Sequence, residues 1–221
     1  VPESALYGVQ TLRGIENFRI SKFHLNEYPL FIQALAITKM GAAIANRELD
    51  LLTKEQTDAI LKACKEILEG KYHDQFPVDM IQGGAGTTTN MNANEVIANR
   101  ALELMGHQRG EYQYCSPNDH VNRSQSTNDA YPTAIHIGLY YTHLKLVKHF
   151  ETLIQSFRKK GEEFANIIKM GRTQLEDAVP MTLGQTFNGF ASILEHEVKN
   201  LDFAAQDFPV SYTHLRAHET G

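Results

Sequence analysis

Between Thr133 and Ile168 the sequence carries an apolar period that only a long helix can satisfy. Leu139, Leu146 and Leu153 recur at steps of seven, and His143, Phe150, Phe157 and Phe164 hold the companion positions. At 1.5 Å per residue this predicts a rod of about 54 Å. A rod of that length overshoots an ordinary globular domain, so the chain is expected to contribute to an extended bundle or an oligomer interface. A second apolar series, Phe187, Phe190, Leu194, Val198, Leu201, Ala205 and Phe208, follows in steps of three and four. Between the two series, Gly171 is expected to break the first helix and Pro180 to turn the chain. Two long helices joined by a polar connection tend to pack antiparallel, which would set Thr173 and Gln174 near one end of a bundle.

Ahead of the rod the signals are those of a smaller helical domain. Residues 1–17 show no clear period and are expected to form an ordered arm. Pro29 suits a first helical turn, and Leu30, Ile37, Met40 and Ile44 predict a helix ending near Glu48. Thr53 and Gln56 form a capping box before the stripe Ile60, Cys64, Ile67 and Leu68, which stops at Gly70. Cys64 reads as a core residue there. Val96, Ile97, Ala101, Leu102 and Met105 predict a further helix, beginning about Met91 and ending at Gly106. The fold class is therefore mainly α, with an N-terminal helical domain over 1–128 and the first long helices of a central bundle over 129–208.

Composition narrows the partners. The net charge is −5, from 21 basic and 26 acidic residues scattered along the chain, which argues against nucleic acid and acidic membrane surfaces. No apolar run reaches membrane length, and two separated cysteines without a CxxC pair suggest a reducing compartment, hence the cytoplasm. The start at Val1 suggests that a short N-terminal piece is absent.

Two stretches carry the chemistry. QGGAGTTTNMN, from Gln82, is a glycine-rich turn running into a helix. Gly83, Gly84 and Gly86 free the backbone, Thr87 to Asn90 offer hydroxyl and amide donors, and the helix points its free N–H groups at the turn. No Lys or Arg lies between Gln82 and Asn99, so the donors are neutral. That favours a carboxylate over a phosphate, whose loops carry a lysine. SPNDHVNRSQSTND, residues 116–129, has Val121 as its one apolar side chain. Asp129 can cap the rod and Pro132 fits its first turn. Taken alone, each polar stretch is equally a solvated connection with a helix cap. His143 and His149 read as interface or solvated residues, since no metal-binding spacing accompanies them.

GTTTNMNANEV at 86–96, SQSTND at 124–129 and GRTQLEDAVPMTLGQ at 171–185 together resemble the aspartase/fumarase family, as does QYCSPNDHVN at 113–122. The resemblance covers Val1 to about Phe208. It implies a homotetramer whose long helices form a twenty-helix core, with each active site drawing the three polar stretches from three different subunits. It also implies that Thr87, Ser126, Thr127, Asn128 and Thr173 bind a small dicarboxylate or amino-acid substrate. The implied reaction is β-proton removal from aspartate with release of ammonia, needing neither metal nor cofactor. Gln174 favours that reaction over malate dehydration, because fumarases usually carry His there. The family's base serine, on a loop of the type GSSxMPxKxN, has no match here, so no catalytic residue is assigned and the chain alone is expected to be inactive. Residues 209–221 lose both period and resemblance and read as a non-native tail, in which His214 and His218 make a poor metal pair. A non-catalytic helical interaction module is the alternative from another class.

Overall fold

The computed structural model describes residues 1–82 and 84–206. The expectations for 209–221, including His214 and His218, and for Gly83 lie outside the described residues. The fold is mainly helical, with six α-helices and one β-hairpin among the described residues. Two compact units are present, one over Val1–Leu139 and one from Tyr140 onward.

In the first unit α1 (Val9–Asn17), α2 (Pro29–Glu48), α3 (Lys54–Leu68) and α4 (Thr87–Leu104) pack around a core that includes Ile32, Leu35, Ile60, Ile67, Val96, Ile97 and Leu102. The predicted box at Thr53 and Gln56 caps α3, and Gly70 follows it with φ +88°. Residues 1–17 are not only an arm, because α1 forms within them. The signal missing from the local sequence comes from Glu95 on α4. Its carboxylate, 2% exposed, accepts from the N–H groups of Gly8, Gln10 and Thr11 and from Thr11 Oγ1 at 2.6–3.0 Å. A cap supplied from more than eighty residues away thus satisfies the first turn of α1.

The face of α2 also differs from the expectation. Ile44 is exposed, and apart from Ala34 the buried positions are Ile32, Leu35, Ala36, Lys39, Ala43 and Asn46. This is an i, i+3, i+4 stripe with two polar members, which an apolar-only count passes over. The helix after Gln82 begins at Thr87 rather than Met91, so three threonines and Asn90 form its first turn.

The long helix α5 runs over Thr127–Glu163, six residues earlier than predicted at its start and about five earlier at its end. Its cap is Ser126 and not Asp129. Ser126 Oγ accepts from Asn128 N–H at 3.2 Å while Asp129 Oδ2 accepts from Ser126 N–H at 3.1 Å. Pro132 consequently lies inside the helix instead of its first turn. Within the second unit, α5 packs against α6 (Leu183–Ala205) through Phe157, Phe164, Phe187 and Phe190, whose ring centroids lie 5.5–6.3 Å apart. The backbones come close where Gly161 lies against Gly184, because a Cβ on Gly184 would overlap the Gly161 carbonyl. Arg158 pairs with Glu195 at 2.8 Å. His143 is buried and bonded to Asp202 Oδ1 at 2.9 Å, which corrects the solvated reading, whereas His149 is exposed. Leu139, Leu146 and Leu153, predicted as one seam, remain 42–46% exposed. Phe190, Ile193 and Phe203 on α6 are exposed as well.

One acidic side chain ties the approach to the glycine-rich turn. Asp79, 3% exposed, accepts from the N–H groups of Ile20, Ser21 and Ile81 and from Ser21 Oγ at 2.7–3.0 Å. Burial opposes its ionisation, but these donors outweigh it and bring the carboxyl down to about 2. A lowered folded-state value means that the contribution to stability is complete above the unfolded carboxyl range near pH 4 and is lost as pH falls through about 2. Asp79→Asn is expected to lower the melting temperature at pH 7. The gap to the unsubstituted protein should narrow between pH 5 and pH 2 in a calorimetric series.

Candidate functional site

The turn before α4 is held in place by side chains as much as by glycine. Gln82 Oε1 accepts from Thr89 N–H at 2.9 Å and Gln82 Nε2 donates to Thr89 Oγ1 at 2.6 Å. Gln82 therefore caps α4 from outside the helix. Gly86, the N-cap, has φ +84°, and a Cβ there would overlap the ring of Tyr131. Tyr131 in turn meets Phe31 edge to face at 5.7 Å. The donors Thr87 to Asn90 divide their work. Thr88 lies against Gly14 of α1, Thr89 and Asn90 are buried in hydrogen bonds, and Thr87 is exposed.

Asn90 leads to the feature that sequence reasoning missed. Behind the threonines sits Lys39, fully buried, whose Nζ donates to Asn90 Oδ1 at 2.7 Å, Asn122 Oδ1 at 2.9 Å and Gln125 Oε1 at 3.0 Å. Burial lowers its pKa to about 7, against a small opposing effect from Cys64. Cys64 is itself pushed up to about 12 by burial and stays a thiol. The donors of the turn itself are neutral, and a lysine lies one layer behind them. A lone Lys flanked by Leu35, Ala36 and Ala43 at helical spacing was the available signal.

The second stretch folds onto the same cluster. Ser116 caps a π-helical turn over Pro117–Val121. Asn122 and Gln125 follow at the Lys39 ammonium, and α5 begins. Asn90 Nδ2 donates to Thr127 Oγ1 at 3.1 Å and to Asn122 Oδ1 at the same distance. Thr127 Oγ1 accepts that bond, which leaves its own proton to donate elsewhere. Ser126 Oγ accepts the cap bond from Asn128 N–H, which leaves its proton uncommitted as in Thr127, and Asn128 lies in the first turn. The GTTTN and SQSTND stretches accordingly meet within one chain. For these two, the expectation of origin in different subunits is corrected.

Thr173 and Gln174 lie elsewhere, in the second unit, on a structure the sequence did not announce. The polar connection is an antiparallel hairpin of β1 (Ile168–Thr173) and β2 (Glu176–Thr182), and Thr173 pairs with Glu176. Gln174 and Leu175 form its two-residue turn with φ +50° and +66°. Such turns usually show Asn-Gly, and the absence of glycine hid this one. Gly171 does not end the helix. It sits at a register shift, where a Cβ would approach the Val179 carbonyl to 2.9 Å. Thr173 and Gln174 are exposed at the tip. Among the described residues, no cluster of three or more His, Cys, Asp or Glu could hold a metal ion.

Two helix-borne polar stretches thus meet over a buried amide cluster, and a third lies on the hairpin. A family model described as lyase matches residues 1–214. The chain belongs to this lyase family, that of the aspartases and fumarases. It is 56% identical over 207 residues to an aspartate ammonia-lyase of Pseudomonas canavaninivorans, covering 94% of this chain and 44% of the relative. A fumarate lyase:delta crystallin structure from Brucella melitensis superposes with TM-score 0.92 at 50% identity, over 94% of this chain and 47% of that one. A class II fumarase from Schistosoma mansoni superposes at 0.81 and 39% identity, over 90% and 42%. The chain therefore spans less than half the length of these relatives.

The contact between Gly86 and Tyr131 can be tested directly. Gly86→Ala combines a left-handed backbone with a clash and should cost about 2–4 kcal/mol in denaturant unfolding. In a Tyr131→Ala background the steric part should disappear, while the backbone part, about 1–2 kcal/mol, remains.

Proposed function

We propose that the protein containing this chain converts L-aspartate to fumarate and ammonia. The observation that carries the reading is the 56% identity to aspartate ammonia-lyase across 207 residues, which include every candidate site residue. Thr87, Ser126, Thr127, Asn128, Thr173 and Gln174 are proposed to hold the substrate. Removing the β-proton places a second negative charge on the neighbouring carboxylate. Hydroxyl and amide donors fixed before reaction stabilise that charge without reorganising. The geometry supports this role most clearly for Thr127, whose oxygen accepts from Asn90 Nδ2 and whose proton is therefore not needed for that bond. None of the six is a general base, and residues 1–221 alone are expected to give no turnover.

Assembly is part of the proposal. The exposed Leu139, Leu146 and Leu153 on α5 and Ile193 and Phe203 on α6 fit helices buried in a homotetramer. The buried, unpaired thiols of Cys64 and Cys115 are in keeping with a cytoplasmic protein. Fumarate hydration is the second reading, favoured by the likeness to the Schistosoma mansoni fumarase, and Gln174 weighs against it. A purely structural module is a third reading, which any turnover would exclude.

Steady-state assays of the full-length protein separate these readings. Deamination of aspartate should be faster than dehydration of malate, and the reverse order would sink the substrate assignment. Thr127→Val should lower kcat/KM by about 10²–10³-fold, equal to about 2.7–4 kcal/mol, in a folded protein. An unchanged kcat/KM would return Thr127 to the role of a helix-start residue.

A further inference from the structure

The Lys39 cluster has a property that a structural cation does not need. An ammonium has three N–H donors and no lone pair. All three of its donors are spent on side-chain amide oxygens, those of Asn90, Asn122 and Gln125. Only the oxygen of the Asn90 amide can face such a group, so the nitrogen must face the other way. That nitrogen lies 3.1 Å from Thr127 Oγ1.

We propose that Lys39 is a positioning residue for the site: by holding Asn90 Oδ1 it turns the Asn90 amide nitrogen onto Thr127 and thereby keeps the Thr127 proton for a substrate carboxylate. The inference rests on the reading of Thr127 as a substrate-binding residue. With the Asn90 amide reversed, Thr127 would donate to Asn90 and have no proton left for substrate. Lys39 itself touches no substrate and acts through Asn90.

The same geometry makes the lock sensitive to pH. A neutral amine has a lone pair and can accept from Asn90 Nδ2, so both orientations of the amide become permissible. Burial brings Lys39 to about 7, which places the change in the working range of an enzyme. The groups around it do not compete. From α3 the facing titratable group is Cys64, which remains a thiol. From α4 and the segment between the π turn and α5 the facing groups are amides, and the one carboxylate of α2, Glu48, lies nine residues further along the helix. Asp119, His120 and Arg123 belong to the π turn and its exit, and Asp129 caps Ser126. None of these four exerts a resolved influence on Lys39. The charged form prevails below about pH 7, so the orienting effect is complete there and fades as pH rises through that value.

The test uses the full-length protein and two variants. In Lys39→Met, kcat/KM for aspartate should fall about ten- to hundredfold at pH 6. The loss should shrink at pH 9, where Lys39 of the unsubstituted protein is neutral. If Lys39 works through Thr127, the double variant Lys39→Met, Thr127→Val should lose no more than Thr127→Val alone. Additive losses would overturn the proposal. Should Lys39→Met not fold, the pH profiles of the unsubstituted protein and Thr127→Val decide: a limb near pH 7 present in the first and missing in the second supports the lock, and identical profiles refute it. A protein that processes malate in preference to aspartate would overturn the substrate reading only, and the same comparisons would then be made with malate.

Discussion

A buried ammonium without a carboxylate is the constraint on which the first unit is built. Removing Lys39 from water costs several kcal/mol unless every N–H finds a partner. The fold meets that demand with amide oxygens drawn from α4 and from the segment between the π turn and α5. The result is that α2, α4 and the start of α5 cannot be placed independently. Asn46 extends the same logic two turns along α2, where its amide donates to the Arg123 carbonyl at 2.8 Å. Polar groups here join the helices alongside the apolar core, and a hydrogen-bonded cluster admits fewer alternative packings.

The helix α4 is the axis of this arrangement. Its apolar side, with Val96, Ile97, Ala101 and Leu102, faces the core, but Asn90, Asn92, Asn94, Glu95 and Asn99 are also buried. Each of several of these side chains serves a different neighbour: Glu95 caps α1, Asn99 donates to the Leu6 carbonyl at 2.7 Å, and Asn92 donates to the Gln75 carbonyl at 2.9 Å. The N-terminal arm is therefore held by α4 along its length. The first turn of the helix, with Thr87 exposed and Tyr131 seated on Gly86, is fixed from behind by the same residues that complete the core.

Helix existence was legible in the sequence wherever an apolar stripe coincided with a local cap, as in α3, with Thr53, Gln56 and Gly70. It failed where the cap came from a distant side chain. The first turn of α1 is satisfied by Glu95, and no window of residues 1–17 contains that information. The β-hairpin failed for a different reason: Gln174 and Leu175 adopt left-handed conformations usually left to Gly or Asn, and the bulge at Gly171 imitated a helix stop. For the candidate site, the polar stretches could be read as stretches, but Lys39 could not be read as their support. Hydrophobicity averages treat a lysine within an apolar helix as a surface residue, and only tertiary structure brings its amide partners from positions 90, 122 and 125.

The two-residue turn of the hairpin fixes more than the direction of the chain. Side chains alternate between the faces of a ribbon, so adding or deleting a single residue between Thr173 and Glu176 would exchange the faces of everything on one strand. Thr173 would then present itself to the opposite side. Substitution at the tip is a matter of degree, whereas a change of length is all or none. Over evolutionary time the residue count of this segment should therefore stay constant, in contrast to ordinary surface loops, where insertions are readily accepted.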